Sequence, residues 1–147
     1  MSKPTTIFLN DTSSAGKTSI ATALQATLED PYLYFSADIP KSMLPPYRED
    51  AGWSVEDILN KLRHGYFGCL AALNACGNSV IADQAMERPE WMMLCAETLN
   101  HCRTFMIGVR CPLEVAESRQ RERGDRALSL VKERSTQCIE SAFMKWK

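Results

Sequence analysis

Several things are scarce in this 147-residue sequence, and each scarcity excludes something. No apolar run approaches the roughly 18 residues that a bilayer-crossing helix needs. The opening Met1-Ser2-Lys3-Pro4 leads into a run too short for a signal-peptide core, so a soluble, cytoplasmic protein without membrane contact is expected. Seventeen Lys and Arg against eighteen Asp and Glu leave a net charge of −1, which lacks the basic excess of a dedicated nucleic-acid binder. Neither histidine sits near a cysteine at zinc spacing, and the six cysteines (69, 76, 95, 102, 111 and 138) form no C-x-x-C. The cysteines therefore read as reduced, buried, small apolar side chains. Cys69/Cys76 and Cys95/Cys102 are seven apart, and each pair is expected on one helix face. Repeats, low-complexity tracts and linkers are also lacking, which predicts one domain over 1–147.

What is present is concentrated near the start. An apolar run, Ile7-Phe8-Leu9, leads into Asp11-Thr12-Ser13-Ser14-Ala15-Gly16-Lys17-Thr18, and a helical pattern follows to Leu28. Strand, loop and helix in that order, with Gly-Lys-Thr at the turn, make a phosphate-binding P-loop. Its backbone amides, from Thr12 through Thr18, are expected to surround phosphate oxygens. Lys17 would reach the β- and γ-phosphates of ATP, and the Thr18 hydroxyl would ligate Mg2+. Asp11 stands where the motif has its first glycine. A carboxylate about 5 Å from phosphate, at an effective dielectric of about 20, would cost roughly 3 kcal/mol per unit phosphate charge. Turned to solvent, it costs little.

Four short apolar runs read as buried parallel strands: Thr6–Asn10, Tyr32–Phe35, Ser79–Asp83 and Thr104–Val109. Helical patterns lie between them. The second spans about Val55 to Cys76, with a stripe of Val55, Ile58, Leu59, Leu62, Tyr66, Cys69, Leu70 and Leu73. Ser54 and Asp57 give it a capping-box-like start, and Gly77-Asn78 ends it. A third runs from Pro89 to about Asn100, with Trp91, Leu94, Cys95, Thr98 and Leu99 inward. A fourth spans Pro112 to about Arg123, and a fifth runs from Ala127 towards Trp146. Alternating strands and helices predict an α/β doubly wound domain, with ligands outside the carboxyl ends of the strands.

Asp38 follows the second strand and Asp83 ends the third, so both belong on the P-loop edge. Asp38 adjoins the irregular, proline-containing segment 36–53 and is assigned as the base for an acceptor hydroxyl. Asp83 is assigned to Mg2+, directly or through water. The ordinary alternative is that either one caps a loop. Arg119, Arg123 and Arg126 share a 3–4 spacing around Gly124, in a lid region of about 119–127. A solvated helix end is the usual reading of such a run; beside a P-loop it becomes a lid neutralising the transferring group. His64 and His101 read as core or surface residues, and Trp91 with Met92-Met93 as helix packing. Tyr47 and Trp53 lie in the candidate acceptor segment and could offer an acceptor an aromatic wall, but the ordinary reading, without such a role, is favoured. With only Lys41 and Arg48 as bases, segment 36–53 leans away from a phosphorylated one.

These residues together resemble the chloramphenicol phosphotransferase-like family of P-loop kinases. Ile7-Phe8-Leu9-Asn10 with Ser13-Ser14-Ala15-Gly16-Lys17-Thr18 is similar to its I-x-L-N-G-x-S-S-A-G-K-[ST] opening. Phe35-Ser36-Ala37-Asp38 and Met43-Leu44-Pro45-Pro46-Tyr47 resemble its strand-end aspartate and acceptor segment. Val80-Ile81-Ala82-Asp83 resembles the third strand. Gly108-Val109-Arg110-Cys111-Pro112-Leu113-Glu114-Val115, with Arg119 and Arg123-Gly124-Asp125-Arg126, resembles the fourth strand and lid. The resemblance implies a P-loop NTPase-type parallel sheet and ATP-dependent phosphorylation of a small hydroxylated acceptor, chloramphenicol-like or related. Under it Asp38 is the base and Lys17 the phosphate ligand. A nucleotide, sugar or shikimate-type kinase and a non-catalytic nucleotide-binding remnant are the alternatives. Two more departures from the family accompany Asp11. The stretch from Asp38 to Asp83 is short, and the usual fifth strand is missing, since Val131-Lys132-Glu133-Arg134-Ser135-Thr136 joins lid to terminal helix. Four strands in the order 2-3-1-4 would leave Thr104–Val109 as an uncharged edge, and self-association into a homo-oligomer through it is expected.

Overall fold

A computed structural model describes residues 3–10, 15–46 and 52–123. The elements in chain order are β1 (Thr5–Asn10), α1 (Lys17–Thr27), β2 (Tyr32–Ser36), α2 (Asp38–Ser42), α3 (Val55–Ala75), β3 (Ser79–Gln84), α4 (Pro89–Thr98), β4 (Arg103–Gly108) and α5 (Leu113–Arg123). The four strands form one parallel sheet in the order β2-β3-β1-β4. This is the arrangement the sequence implied. The central position of β3 and β1 explains their apolar middles, Val80-Ile81-Ala82 and Ile7-Phe8-Leu9: all six residues of β3 are buried, and five of six in β1. Strands buried on both faces have no solvent side for polar residues to occupy.

Side chains alternate across the sheet, and each face has its own cluster. Phe8, Val80 and Ala82 pack with Tyr66, Phe67 and Leu70 of α3 and with Trp91, Met92 and Cys95 of α4. Leu9 and Ile81 pack on the other face with Ala21 of α1, Ala15 and Val109. Burial pushes the Cys95 thiol up to about 12, so it stays an inert packing group.

The structure corrects several expectations. The buried face of α3 is centred on Tyr66, Phe67, Leu70 and Asn74. Val55 and Cys69 are exposed, because the helix turns a narrower stripe to the sheet than its apolar residues would cover. Cys76 is exposed at the end of α3, and Cys102 lies beyond α4, so the two seven-residue pairs do not mark shared buried faces. One turn of helix, α2, lies inside the segment read as irregular. The expected helix from Ala127 to Trp146 lies outside the described residues. Other boundaries agree to within one or two positions. The Ser54 side chain accepts from the Asp57 amide at 3.2 Å, and Gly77, with φ of 91°, closes α3.

β4 is outermost among the described strands, and Phe105 and Ile107 on it are exposed. Among the described residues, no helix is long and apolar enough to cross a membrane.

Candidate active site

The site forms at the carboxyl ends of β1, β2 and β3. Residues 11–14, including Asp11 and the expected phosphate contacts Thr12, Ser13 and Ser14, lie outside the described residues. Beyond them, Ala15 is buried and Gly16 caps α1 with φ of 99° and ψ of 16°. That left-handed conformation suits glycine and little else. A Cβ at Gly16 would also come within 3.3 Å of Arg119 Nη1. Here the loop turns into the helix, since the Gly16 carbonyl already accepts from the Ile20 amide at 3.0 Å. The first-turn amides of α1 therefore lie at the positive end of an 11-residue helix. Lys17, the first helical residue, is only 8% exposed.

Opposite this turn, Tyr34 of β2 connects two expected metal ligands. Its phenol donates to Asp83 Oδ2 at 2.5 Å and lies 3.4 Å from Thr18 Oγ1. A phenol carries one proton, so the Thr18 contact is completed by the threonine hydroxyl donating to the phenol oxygen. Burial first, and then the hydrogen-bonded Asp83 carboxylate, push the Tyr34 pKa above its ordinary value of 10.0. The phenol therefore remains a donor to Asp83 at neutral pH.

Tyr66 fixes the frame. Its hydroxyl faces the Phe35 carbonyl at 2.9 Å and the Asp83 carbonyl at 3.2 Å, and it accepts from the Asp83 amide at 3.0 Å. Burial, with the Asp83 charge second, pushes this phenol well above 10.0. One side chain of α3 thus ties the helix to the ends of β2 and β3. Replacing it by phenylalanine is expected to leave the Asp83 amide without its partner in a dry site, costing about 1–3 kcal/mol. Urea unfolding of Tyr66→Phe checks this.

Asp38 opens α2, and its amide donates to Ser36 Oγ at 3.3 Å. Its carboxylate accepts from Lys41 Nζ at 2.9 Å. Both members of that pair are largely exposed, so it orients the carboxylate more than it stabilises the fold. One cavity is lined by Lys17, Thr18, Asp38 and Asp83, and also by Arg63 and Trp91. The first four were expected there. Arg63 and Trp91 were not: Trp91 read as helix packing, and Arg63 sits inside an apolar helical pattern. Among its described residues, segment 36–53 adds no aromatic side chain to the cavity. Trp53 is 41% exposed and does not line the cavity, and Tyr47 lies outside the described residues. His64 and His101 are exposed.

Of the three arginines expected in a lid, Arg119 reaches the loop, with Nη1 3.5 Å from the Ala15 carbonyl and 3.9 Å from Cys111 Sγ. Arg123 ends α5. Its side chain and all of Arg126 lie outside the described residues. At the floor, Asn10 and Gln84 are register partners across β1 and β3. Among the described residues, Asn10 Nδ2 and Gln84 Oε1 are buried without hydrogen-bond partners, an unusual pair of polar groups at the strand ends.

Thr18 and Asp83 offer oxygen only, and no cluster of three or more His, Cys, Asp or Glu suited to a metal occurs among the described residues. Oxygen donors fit Mg2+, which takes one or two protein oxygens and fills the rest of its octahedron with water and phosphate.

Residues 4–142 match the family described as chloramphenicol phosphotransferase-like protein. The chain belongs to that family. A protein of Mycobacterium tuberculosis strain H37Rv named "Putative O-phosphotransferase Rv2636" is 31% identical over 142 residues, covering 82% of this chain and 63% of the relative. The chain thus spans less than two thirds of that curated relative. Among solved structures, the M. tuberculosis APS kinase CysC in complex with AMPPNP and APS superposes with a TM-score of 0.67 at 19% identity, covering 82% of this chain and 70% of the other. The Deinococcus radiodurans tunicamycin resistance protein gives 0.66 at 16% identity, covering 97% and 84%. The Pnkp1/Rnl/Hen1 RNA repair complex contains a chain giving 0.76 at 17% identity, covering 97% and 46%. At such identities these likenesses establish the fold, which is that of P-loop kinases.

Proposed function

We propose that the chain acts as an ATP-dependent O-phosphotransferase, moving the γ-phosphoryl group to a hydroxyl of a small molecule. The observation that carries this is that Lys17, Thr18, Asp38 and Asp83, from separate parts of the sequence, line one cavity at the strand ends. Lys17 and the first-turn amides of α1 hold the β- and γ-phosphates. Thr18 and Asp83 would hold Mg2+, which supplies charge neutralisation on the phosphates and geometric restraint. Asp38 orients the acceptor hydroxyl and takes its proton as the new O–P bond forms. The bond from the γ-phosphorus to the bridging oxygen breaks, and its electron pair leaves with ADP. Arg119, with Arg123 and Arg126 beyond it, neutralises charge on the transferring group.

Thermal unfolding during a Mg-ATP titration tests the donor site. At a hundredfold excess over Kd, binding adds about 2.7 kcal/mol, a rise in Tm of roughly 5–10 °C for a domain of this size. No rise would remove the reading. A rise without transfer to any acceptor would leave a nucleotide-binding protein.

A further inference from the structure

The cavity has a wall that the phosphate motif does not account for. It comes from α3 and the approach to α4: Leu59, Leu62, Arg63, Glu87 and Trp91. The Arg63 guanidinium lies 3.4 Å over the centre of the Trp91 ring, and its Nη1 donates to Asn60 Oδ1 at 3.0 Å. Trp91 is only 7% exposed, so the platform beneath the guanidinium is held in the core. Arg88 approaches the same ring at 5.3 Å. A guanidinium stacked on an indole keeps its N–H donors in one plane, around its rim. Its position relative to the strand ends is also fixed. Arg63 stands one turn before Tyr66, whose hydroxyl ties α3 to Phe35 and Asp83. A recognition group on a tethered helix holds its geometry better than one on a loop.

We propose that this wall recognises a carboxylate, so that the acceptor is a small hydroxy acid with its hydroxyl at Asp38 and its acid group at Arg63. The proposal rests on the acceptor reading given above and names its substrate class. A planar carboxylate matches the guanidinium rim with two parallel hydrogen bonds. Leu59 and Leu62 give the carbon skeleton an apolar surface between the two ends.

The test uses D-gluconate, D-glycerate, quinate and shikimate, each paired with its neutral methyl ester. Thermal stability is read with and without Mg-ATP, and transfer is read with labelled ATP. At least one acid is expected to be preferred over its ester by about 10- to 100-fold in Kd or KM, the range of a charge-assisted hydrogen-bond pair. Arg63→Ala should abolish the preference, and Arg63→Lys, which keeps the charge without the planar rim, should lose most of it. The Mg-ATP-induced rise in Tm should persist in both variants and report that they fold. If Arg63→Ala does not fold, Arg63→Lys decides alone. A preferred ester, a preference unchanged in the variants, or no acid recognised by a protein that binds Mg-ATP would overturn the proposal. Acids that stabilise the protein through Arg63 while Mg-ATP does not would uphold this wall and remove the kinase reading.

Discussion

Asparagine in place of Asp38 is expected to remove phosphoryl transfer and leave Mg-ATP binding intact. The amide keeps the size of the side chain and can still accept a hydrogen bond, but it cannot take the acceptor proton. Loss of a positioned base lowers the rate by about 10²–10⁴-fold. The fold should tolerate the change, because the Asp38–Lys41 pair is exposed and leaves no buried charge behind. Turnover with labelled ATP, set against the Mg-ATP-induced rise in Tm, separates the two effects. Normal transfer by Asp38→Asn would remove Asp38 from the mechanism.

Lys17→Ala should fail one step earlier. Lys17 is nearly buried at the first position of α1, beside the left-handed Gly16. Removing a desolvated charge partner of the phosphates should cost about 2–5 kcal/mol of nucleotide binding, so both the Tm rise and turnover should be lost. Alanine is the best helix former, and the apo protein should keep its helical circular dichroism. An unchanged Mg-ATP titration would show that the phosphates bind elsewhere. The two variants thus divide donor from acceptor: one loses both readouts, the other only transfer.

The sheet was legible in the sequence because its central strands are buried on both faces. Their middles are apolar, as Val80-Ile81-Ala82 shows, while their buried polar residues stand towards the strand ends. The P-loop and the strand-end aspartates were legible for a related reason, since strand ends in this fold define an edge that short motifs can mark. What stayed hidden came from helix phase and from side-chain reach. The α3 pattern contains more apolar residues than the buried face holds, so spacing alone could not tell that Phe67 points in and Cys69 out. Arg63 was obscured in the same way, as a charge within a mostly apolar helix. Its stack on Trp91 joins residues 28 positions apart, and no local spacing predicts that. Tyr34 could have been found: alternation along β2 places it on the α1 face, two positions before Ser36, where Thr18 and Asp83 converge. The helix α2 was missed because Pro40 and Lys41 look like loop, although a proline is tolerated in a first turn.

From Tyr34 to Asp38 every residue carries an anchor. Tyr34 reaches Asp83 and Thr18, the Phe35 carbonyl receives Tyr66, Ser36 Oγ receives the Asp38 amide, and the Ala37 amide donates to the Asp83 carbonyl at 3.0 Å. An insertion or deletion of one residue inside this stretch would invert the alternation beyond the change and detach the anchors there. Changes in length after Ser42 disturb none. Descendants of this chain that acquire new substrates therefore have their freedom downstream of α2, while positions 34–38 must be inherited as a block.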